Sequence, residues 1–412
     1  MEEISKKDKT CAFLYAIAAV IIMLAAYQGD STLGTETLRK ILRLALYGIA
    51  GISFVLNIIP LFRIRTIGIF NILAMIPVIM FYFISKINAF QSNNTVSTLH
   101  LIYWLLFCLS SREVQYGTFI ILKKIWCVIC IVGIICFLSY KFGKFIPHQE
   151  KAYYINNKLA SYIDFKCIYL YKINNMIRLC GICNEPGYFG TFCALILCAS
   201  KLNLKDKNNI IIFAAGILTF SVAFLIIILV YLLLKSWKNW KAFVAILMLL
   251  IVYIYVIPNL NVSNESINRL LNRITFEDNE LKGNNRSNTK LDNILKYSLK
   301  ETPWFGKGKG YIEYASITAV STYKTYVIEY GIIGCLLIWG TLLISVLYKN
   351  TRNLDVIFFI AVFFLSIYQR PNIMTLPYEI LLYGGILYIK DNKKEQQPKT
   401  AEDMLEIKNI SN

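Results

Sequence analysis

The sequence RLCGICNEPGYFGTF, residues 178–192, joins a long polar stretch to an apolar run that continues to Leu202. Proline is favoured in the first turn of a helix, so Pro186 predicts that a membrane helix begins there. Arg178 and Glu185 stand at its entrance, and charges at the mouth of a membrane helix are costly unless they are used. This junction therefore predicts either a functional site or, as the alternative, a pair of interfacial anchors.

The composition predicts a membrane protein. Of 412 residues, 57% are hydrophobic and only 17% are charged. Apolar runs recur from Cys11 to Ile389, and each has about the length that crosses a hydrocarbon core of about 30 Å. We therefore expect an all-α fold: a polytopic helical integral membrane protein with about twelve transmembrane passes and one large extracytoplasmic loop.

The net charge of +18 does not indicate a nucleic-acid partner, because the basic residues cluster in short loops between apolar runs. This is the pattern of the positive-inside rule, which sets orientation in a membrane. Such clusters precede the first run (Lys6, Lys7, Lys9), follow the second (Arg63, Arg65) and the sixth (Lys201, Lys205, Lys207), and follow the last (Lys390, Lys393, Lys394). The rule predicts that both termini are cytoplasmic.

The run from Ile210 to Leu234 leaves two topologies open. As one helix it would cross the membrane once and place the basic loop after it outside, against the positive-inside rule. If it folds back at Thr219-Phe220-Ser221, every later loop agrees with the rule. We prefer this hairpin of two short helices, whose turn must be buried in protein or line a cavity.

These assignments divide the chain into six segments. They are N-terminal membrane helices (1–140), an outer loop (141–186), membrane helices with the hairpin near 219–221 (187–258), a large outer loop (259–324), C-terminal membrane helices (325–390) and a cytoplasmic tail (391–412). The large outer loop is expected to contain a helix that begins near Asn288 and ends before Pro303.

Charged residues of this loop are candidates for phosphate binding. Arg286 precedes the expected helix, where forked donors and the helix dipole suit a diphosphate. Lys307 and Lys309, spaced by glycines, add charge and backbone N–H groups, although the spacing of a P-loop is missing. An ordinary solvated surface is the alternative for Arg286.

The next span opens with a carboxylate and two glycines. Glu329 is expected to need a partner at that depth, whereas Gly331 and Gly334 are equally typical of simple helix packing. Two Cys-x-x-Cys pairs, Cys127/Cys130 and Cys180/Cys183, lack the further ligands of a zinc site. We expect no metal and no cofactor.

Together these motifs resemble the bacterial O-antigen and capsule polymerase (Wzy) and O-antigen ligase superfamily. Three blocks carry the likeness: residues 178–192; the Thr-x-Ser of Thr219 and Ser221; and the series from Arg286 through Trp304–Gly308 to Glu329–Gly334. The blocks cover about a third of the chain.

The resemblance implies a metal-independent, inverting glycosyltransferase that joins oligosaccharide repeat units carried on undecaprenyl diphosphate. The work would take place on the outer face of the bacterial cytoplasmic membrane, for O-antigen, capsule or exopolysaccharide. Membrane lipid, and a chain-length regulator and a flippase, are the other implied partners. Ligases usually carry a His-Asn pair where this chain has Val320-Ser321-Thr322, which favours a polymerase.

Residue roles follow from the resemblance and from the chemistry of a diphosphate leaving group. Arg286 is assigned to the diphosphate with help from Lys307, and Arg178 either to the diphosphate or to the orientation of Glu185, with the two arginines forming a clamp. Glu185 is the first candidate for the general base and Glu329 the second. Tyr188, Ser221 and Gly308 complete the expected substrate-binding set. An O-antigen ligase, a flippase or other transporter, and a non-catalytic assembly protein are the alternative functions.

Overall fold

The structure is a computed structural model. It describes residues 5–28, 36–62, 69–90, 98–143, 145–155, 158–173, 176–237, 239–252, 276–277, 280–281, 289–315, 322–340, 342–343, 346, 353–368, 370–371 and 375–394. The described chain is mostly helical, as expected. Arg286, the ends of several expected spans and about half of the large outer loop lie outside the described residues.

The N-terminal half supplies nine helices within the described ranges. They are α1 (Lys6–Gln28), α2 (Glu36–Phe62), α3 (Ile69–Ile87), α4 (Thr98–Leu109), α5 (Arg112–Phe142), α6 (Pro186–Ala199), α7 (Lys207–Leu218), α8 (Val222–Ser236) and α9 (Trp240–Ile251). Two apolar helices, Lys6–Ala25 and Arg112–Phe142, are long enough to cross a membrane. Others, including α6, α7 and α8, are shorter apolar helices, so helix length does not establish twelve passes.

The C-terminal half contains further helices and two π-helical segments. They are α10 (Thr289–Glu301), α11 (Tyr311–Tyr314), α12 (Tyr323–Cys335) followed by the π segment Leu336–Gly340, α13 (Leu354–Ile367), α14 (Leu376–Glu379) followed by the π segment Ile380–Gly384, and α15 (Gly385–Lys394). The helix expected to end before Pro303 is confirmed as α10, which ends at Glu301.

The expectation of an all-α fold is wrong in one region. The polar loop after α5 forms a four-stranded antiparallel sheet, in which each strand pairs with the next along the chain. Its strands are β1 (Gln149–Ile155), β2 (Lys158–Asp164), β3 (Tyr169–Ile173) and β4 (Met176–Gly181). A short pair, β5 (Phe276–Glu277) and β6 (Glu280–Leu281), lies in the large loop. Buried backbone N–H and C=O groups need hydrogen-bond partners. In this segment, which lies between two apolar helices, the hydrogen bonds between strands provide them.

Helix α6 lies at the centre of the core. Every residue from Phe189 to Ala199 is buried, and α6 packs against α7, α8, α13, α15 and β4. A helix that is apolar on all sides belongs in a protein interior. Residues 178–192 therefore lead into the most enclosed helix of the described structure.

Candidate functional site

Within the junction, α6 begins at Pro186, as the sequence predicts. Glu185 has an extended backbone conformation there, and its carbonyl oxygen accepts hydrogen bonds from the amides of Tyr188 (3.1 Å) and Phe189 (3.2 Å). The side chain of Glu185 does not cap the helix. Its carboxylate is therefore directed to partners outside α6.

The chain turns sharply between α7 and α8, at Thr219-Phe220-Ser221. Phe220 has a positive φ of 46°, a conformation that L-residues seldom adopt. The hydroxyl of Ser221 accepts a hydrogen bond from the Phe224 amide at the start of α8. Ser221 is only 4% exposed, so its role in this structure is to cap the helix.

The two helices fold back on each other. The ammonium of Lys235, near the end of α8, donates a 2.8 Å hydrogen bond to the carbonyl of Lys201, which directly precedes the loop leading into α7. Both helices also pack against α6. The start of α7 and the end of α8 thus lie at the same end of α6, so the run from Ile210 to Leu234 is two helices that fold back at Thr219-Phe220-Ser221. Its place in a membrane stays a prediction.

Arg178 joins the first sequence block to this turn. It lies on β4, and its Nε and Nη2 groups donate to the carbonyls of Thr219 (2.9 Å) and Phe220 (3.1 Å). Carbonyls at a tight turn are left without helix partners, and the planar guanidinium satisfies two of them together. The fork of Arg178 is thus directed at the turn.

Gly190 brings the same two blocks into contact from the helix side. A Cβ atom at this position would lie 2.8 Å from Oγ1 of Thr219 and 2.9 Å from Cβ of Ser221. Only glycine permits such a close approach of α6 to the turn. The first two blocks, about 40 residues apart in sequence, are therefore one structural unit.

Glu185 forms an ion pair with Arg370, a residue that sequence reasoning missed. Nη2 of Arg370 lies 2.5 Å from Oε2 of Glu185, and its guanidinium carbon lies 5.7 Å from the ring centroid of Tyr188. Arg370 follows α13, and its amide donates to the carbonyl of Ser366. The one sequence signal was an arginine followed by Pro371 at the end of an apolar run, a setting similar to that of Arg178 before Pro186.

The two members of this pair differ in exposure. The Arg370 side chain is 10% exposed, whereas that of Glu185 is 37% exposed. Burial opposes the charge on Arg370, but the neighbouring Glu185 carboxylate raises the pKa of the guanidinium, so it stays charged. The pair thus presents a carboxylate, fixed on one side by a buried cation, at an accessible place beside the core helix.

The two parts of the third block, residues 304–308 and 329–334, also contact each other. Residues 303–308 run beside α12, where Lys307 and Gly308 donate backbone hydrogen bonds to the carbonyls of Ile328 (2.7 Å) and Glu329 (3.0 Å). Gly331 interrupts α12 with a φ of 65°. A Cβ atom at Gly306 would lie 2.6 Å from the Ile328 carbonyl oxygen, so backbone meets backbone here without side chains between.

We call residues 303–310 and the part of α12 that they contact the clasp, and Glu329 lies within it. Its Oε1 accepts a 3.0 Å hydrogen bond from the Gly310 amide. Burial lowers the pKa of the Lys309 ammonium, an effect that the carboxylates of Glu329 and Glu313 oppose. The glycine segment thus surrounds Glu329 with backbone and a half-buried lysine.

The glycine segment does not offer the row of anion-binding amides that its sequence suggested. The amides of Lys307, Gly308 and Gly310 donate to α12 and to Glu329. Gly308 also packs against the Asn88 carbonyl so closely that no Cβ atom would fit. The Lys307 ammonium lies 4.6 Å from the centroid of the Tyr297 ring. The main structural task of this segment is to hold α12.

The Glu185–Arg370 pair and the segment around Glu329 are neighbours. The carbonyl of Tyr368, two residues before Arg370, accepts a 3.4 Å hydrogen bond from the Thr322 hydroxyl at the start of α12. The rings of Tyr323 and Tyr368 are stacked, with centroids 5.3 Å apart. The end of α13 therefore connects the Glu185–Arg370 pair with the helix that carries Glu329. Arg286 and the clamp assigned to it lie outside the described residues.

The cysteines show no arrangement for metal binding. All eleven are free, and only Cys167 is exposed. Burial raises the pKa of the Cys180 and Cys183 thiols above the ordinary range, which makes both poor nucleophiles. Within the described ranges no group of three or more His, Cys, Asp or Glu side chains is placed to hold a metal ion.

Comparison of the chain with models of protein families, with curated proteins and with solved structures gives no match.

Proposed function

We propose that this protein is a polysaccharide polymerase of the cytoplasmic membrane of a bacterium. It would join oligosaccharide repeat units carried on undecaprenyl diphosphate, at the outer face of that membrane. The proposal rests on the two hydrogen bonds that the Arg178 guanidinium donates to the carbonyls of Thr219 and Phe220 at the turn. Motifs that resemble one family in sequence order also meet in space, which a chance likeness of scattered motifs does not require.

The proposed reaction is an inverting glycosyl transfer. An acceptor sugar hydroxyl attacks the anomeric carbon of the donor, the bond from that carbon to the diphosphate oxygen breaks, and the diphosphate leaves with the electron pair. Glu185 takes the proton of the hydroxyl as general base, since its carboxylate is the more accessible candidate. General bases of this kind contribute about 10²–10⁴-fold to the rate.

Cations stabilise the negative charge that develops on the leaving diphosphate. We assign this work to Arg286; the ammonium of Lys307, the helper that the resemblance implies, lies over the ring of Tyr297 instead. Arg178, whose Nε and Nη2 groups bind the turn, shapes the site instead of neutralising the leaving group. Arg370 orients Glu185, the role that the sequence offered to Arg178.

The membrane topology is part of the proposal: about twelve passes, with both termini cytoplasmic. It is supported by the contact between Lys201 and Lys235, which brings the start of α7 and the end of α8, and with them the loops before and after the hairpin, to one end of α6. Reporter fusions in these two loops should both report the cytoplasm. Reporters on opposite sides would exclude the hairpin as a feature of the membrane-embedded protein.

The function is tested with purified protein in lipid nanodiscs, given undecaprenyl-diphosphate oligosaccharide without metal or nucleotide. A ladder of longer lipid-linked products is expected, and Arg286→Lys should abolish most of it while the protein still inserts. Products found only on a different acceptor lipid would identify a ligase. Movement of labelled lipid-linked sugar across a vesicle membrane, without any change in chain length, would identify a transporter.

A further inference from the structure

Glu379, the last residue of α14, is the most deeply buried carboxylate of the described structure. It is 1% exposed, and α14 packs against α1 and α4. Neither carboxylate oxygen has a hydrogen-bond partner in the described parts of the chain. The proposed transfer reaction makes no use of this residue.

Among the residues that the structure describes, the surroundings of Glu379 offer no cation. The thiol of Cys108 on α4 lies near Glu379 and is hydrogen-bonded to Tyr383, in the π segment after α14. The buried titratable side chains on the two packing helices are Cys11 and Tyr15 of α1 and Tyr103 and Cys108 of α4. Thiols and phenols are neutral at physiological pH, so none of them compensates a negative charge.

An ionised carboxylate in such a place is very unfavourable. The effective desolvation penalty is several kcal/mol per ion even after relaxation, whereas a neutral acid loses only the smaller energy of an unmade hydrogen bond. Groups in this position neutralise themselves. The packing of Glu379 therefore suits the protonated acid and not the carboxylate.

We propose that Glu379 is a proton-binding site, whose proton is held while α14 is packed against α1 and α4. Release of that proton requires α14 to separate from these helices or water to enter between them. Proton binding is thereby coupled to a change in packing. The inference does not depend on the proposed polymerase activity.

The π-helical segment Ile380–Gly384 indicates where such a change can occur. π segments are rare and are frequent at functional sites. Gly384 anchors its far end, since a Cβ atom there would lie 2.7 Å from the Gln115 carbonyl oxygen of α5. Residues 376–379 can move as a short unit while the following helix stays fixed on α5.

Infrared spectroscopy of the full-length protein at neutral pH tests the protonation. Subtracting the spectrum of Glu379→Gln from that of the unmodified protein should leave the C=O stretching band of a protonated carboxylic acid. The same subtraction with Glu185→Gln should leave carboxylate bands, because Glu185 is ion-paired. Carboxylate bands from Glu379 would overturn the proposal.

Thermal unfolding protects the test against a variant that fails to fold. Glu379→Gln and Glu379→Leu should both keep the melting temperature of the unmodified protein, because neither removes an ion pair. A marked loss in both variants would show that Glu379 is ionised and paired, and would also overturn the proposal.

The coupling to packing is tested with Cys108 as the reporter. Its alkylation by N-ethylmaleimide should accelerate more steeply with rising pH in the unmodified protein than in Glu379→Gln. The variant corrects for the pH dependence of the thiol itself. Equal slopes would remove the coupling from the proposal.

Discussion

Glu185 directly precedes α6, whereas Glu329 lies in the middle of α12, two residues before the interruption at Gly331, and the surroundings of the two carboxylates differ. Glu185 is bound by a side chain distant in sequence, Arg370, and its own side chain is 37% exposed. Glu329 is bound by the Gly310 amide in a segment of glycines that is itself bonded to α12. One carboxylate faces outward from a fixed cation, and the other is enclosed by backbone.

This difference separates a residue placed for chemistry from a residue placed for structure. A general base must come within hydrogen-bond reach of the proton it takes, which an accessible carboxylate can do. A carboxylate that holds a loop contributes to stability and is not free to approach a substrate. The comparison therefore favours Glu185 as the base and assigns Glu329 to the clasp.

The largest expected effect is on folding, at Gly331. Alanine there would need a φ of 65° and would place its Cβ against the Trp304 carbonyl oxygen. We expect Gly331→Ala to cost at least about 3 kcal/mol of stability, seen as a large fall in melting temperature in detergent. Gly340→Ala is the control, because no atom lies within 4 Å of its Cβ position. Equal melting temperatures for both variants would contradict the clasp.

The second effect is on catalysis and compares the two carboxylates directly. Glu185→Gln should lower the rate of chain extension by about 10²–10⁴-fold at an unchanged melting temperature. Glu329→Gln weakens the hydrogen bonds from the Gly310 and Ile312 backbone, each worth about 1 kcal/mol, and should lose far less activity. The reverse order of rates would exchange the roles assigned to the two residues.

The third effect is on the link between β4 and the hairpin turn. Lysine lacks the planar fork with which Arg178 reaches two carbonyls, so Arg178→Lys should lose about 1.5–3 kcal/mol of stability and part of the activity. Lys166→Gln, an exposed change in the same outer sheet region, should alter neither. If Arg178→Lys lost all activity without any fall in melting temperature, Arg178 would be a substrate ligand.

The smallest effect is expected at Lys307. Its contact with the Tyr297 ring is worth about 0.5–1 kcal/mol at an exposed site. We therefore expect Lys307→Gln to keep chain extension within about threefold. The control is Lys300→Gln, an exposed lysine on α10, the helix that carries Tyr297. A loss of more than tenfold in Lys307→Gln alone would assign the ammonium to the diphosphate, as the resemblance implies.

Local chemistry made several elements predictable. Pro186 predicts the start of α6, and the lysines after residues 200 and 234 favour a run that folds back between them. The outer sheet was missed, although Tyr- and Ile-rich segments separated by the pairs Asn156-Asn157 and Asn174-Asn175 are typical of hairpins. Charged residues in these segments mask the alternation of a strand, so the polar composition by itself predicts a loop.

The partners of the site residues were harder to predict. The glycines at 306 and 331 indicate a close approach of backbone, but no local pattern says which segment approaches. Arg370 lies 185 residues from Glu185, and no spacing rule covers such a distance. A charge near a membrane helix is expected to have a partner. That expectation applies to Glu185, but it does not say which residue the partner is.

The sequence separations of these bonds also fix the order in which they form during synthesis. Arg178 precedes Phe220 by 42 residues, so at about 5–20 residues per second the guanidinium leaves the ribosome about 2–8 seconds before the turn that needs it. Glu185 has to wait for Arg370 over 185 residues, or about 9–37 seconds at the same speed. The growing chain can thus form its hairpin early, while the carboxylate beside it acquires its cation only after Arg370 has been synthesised.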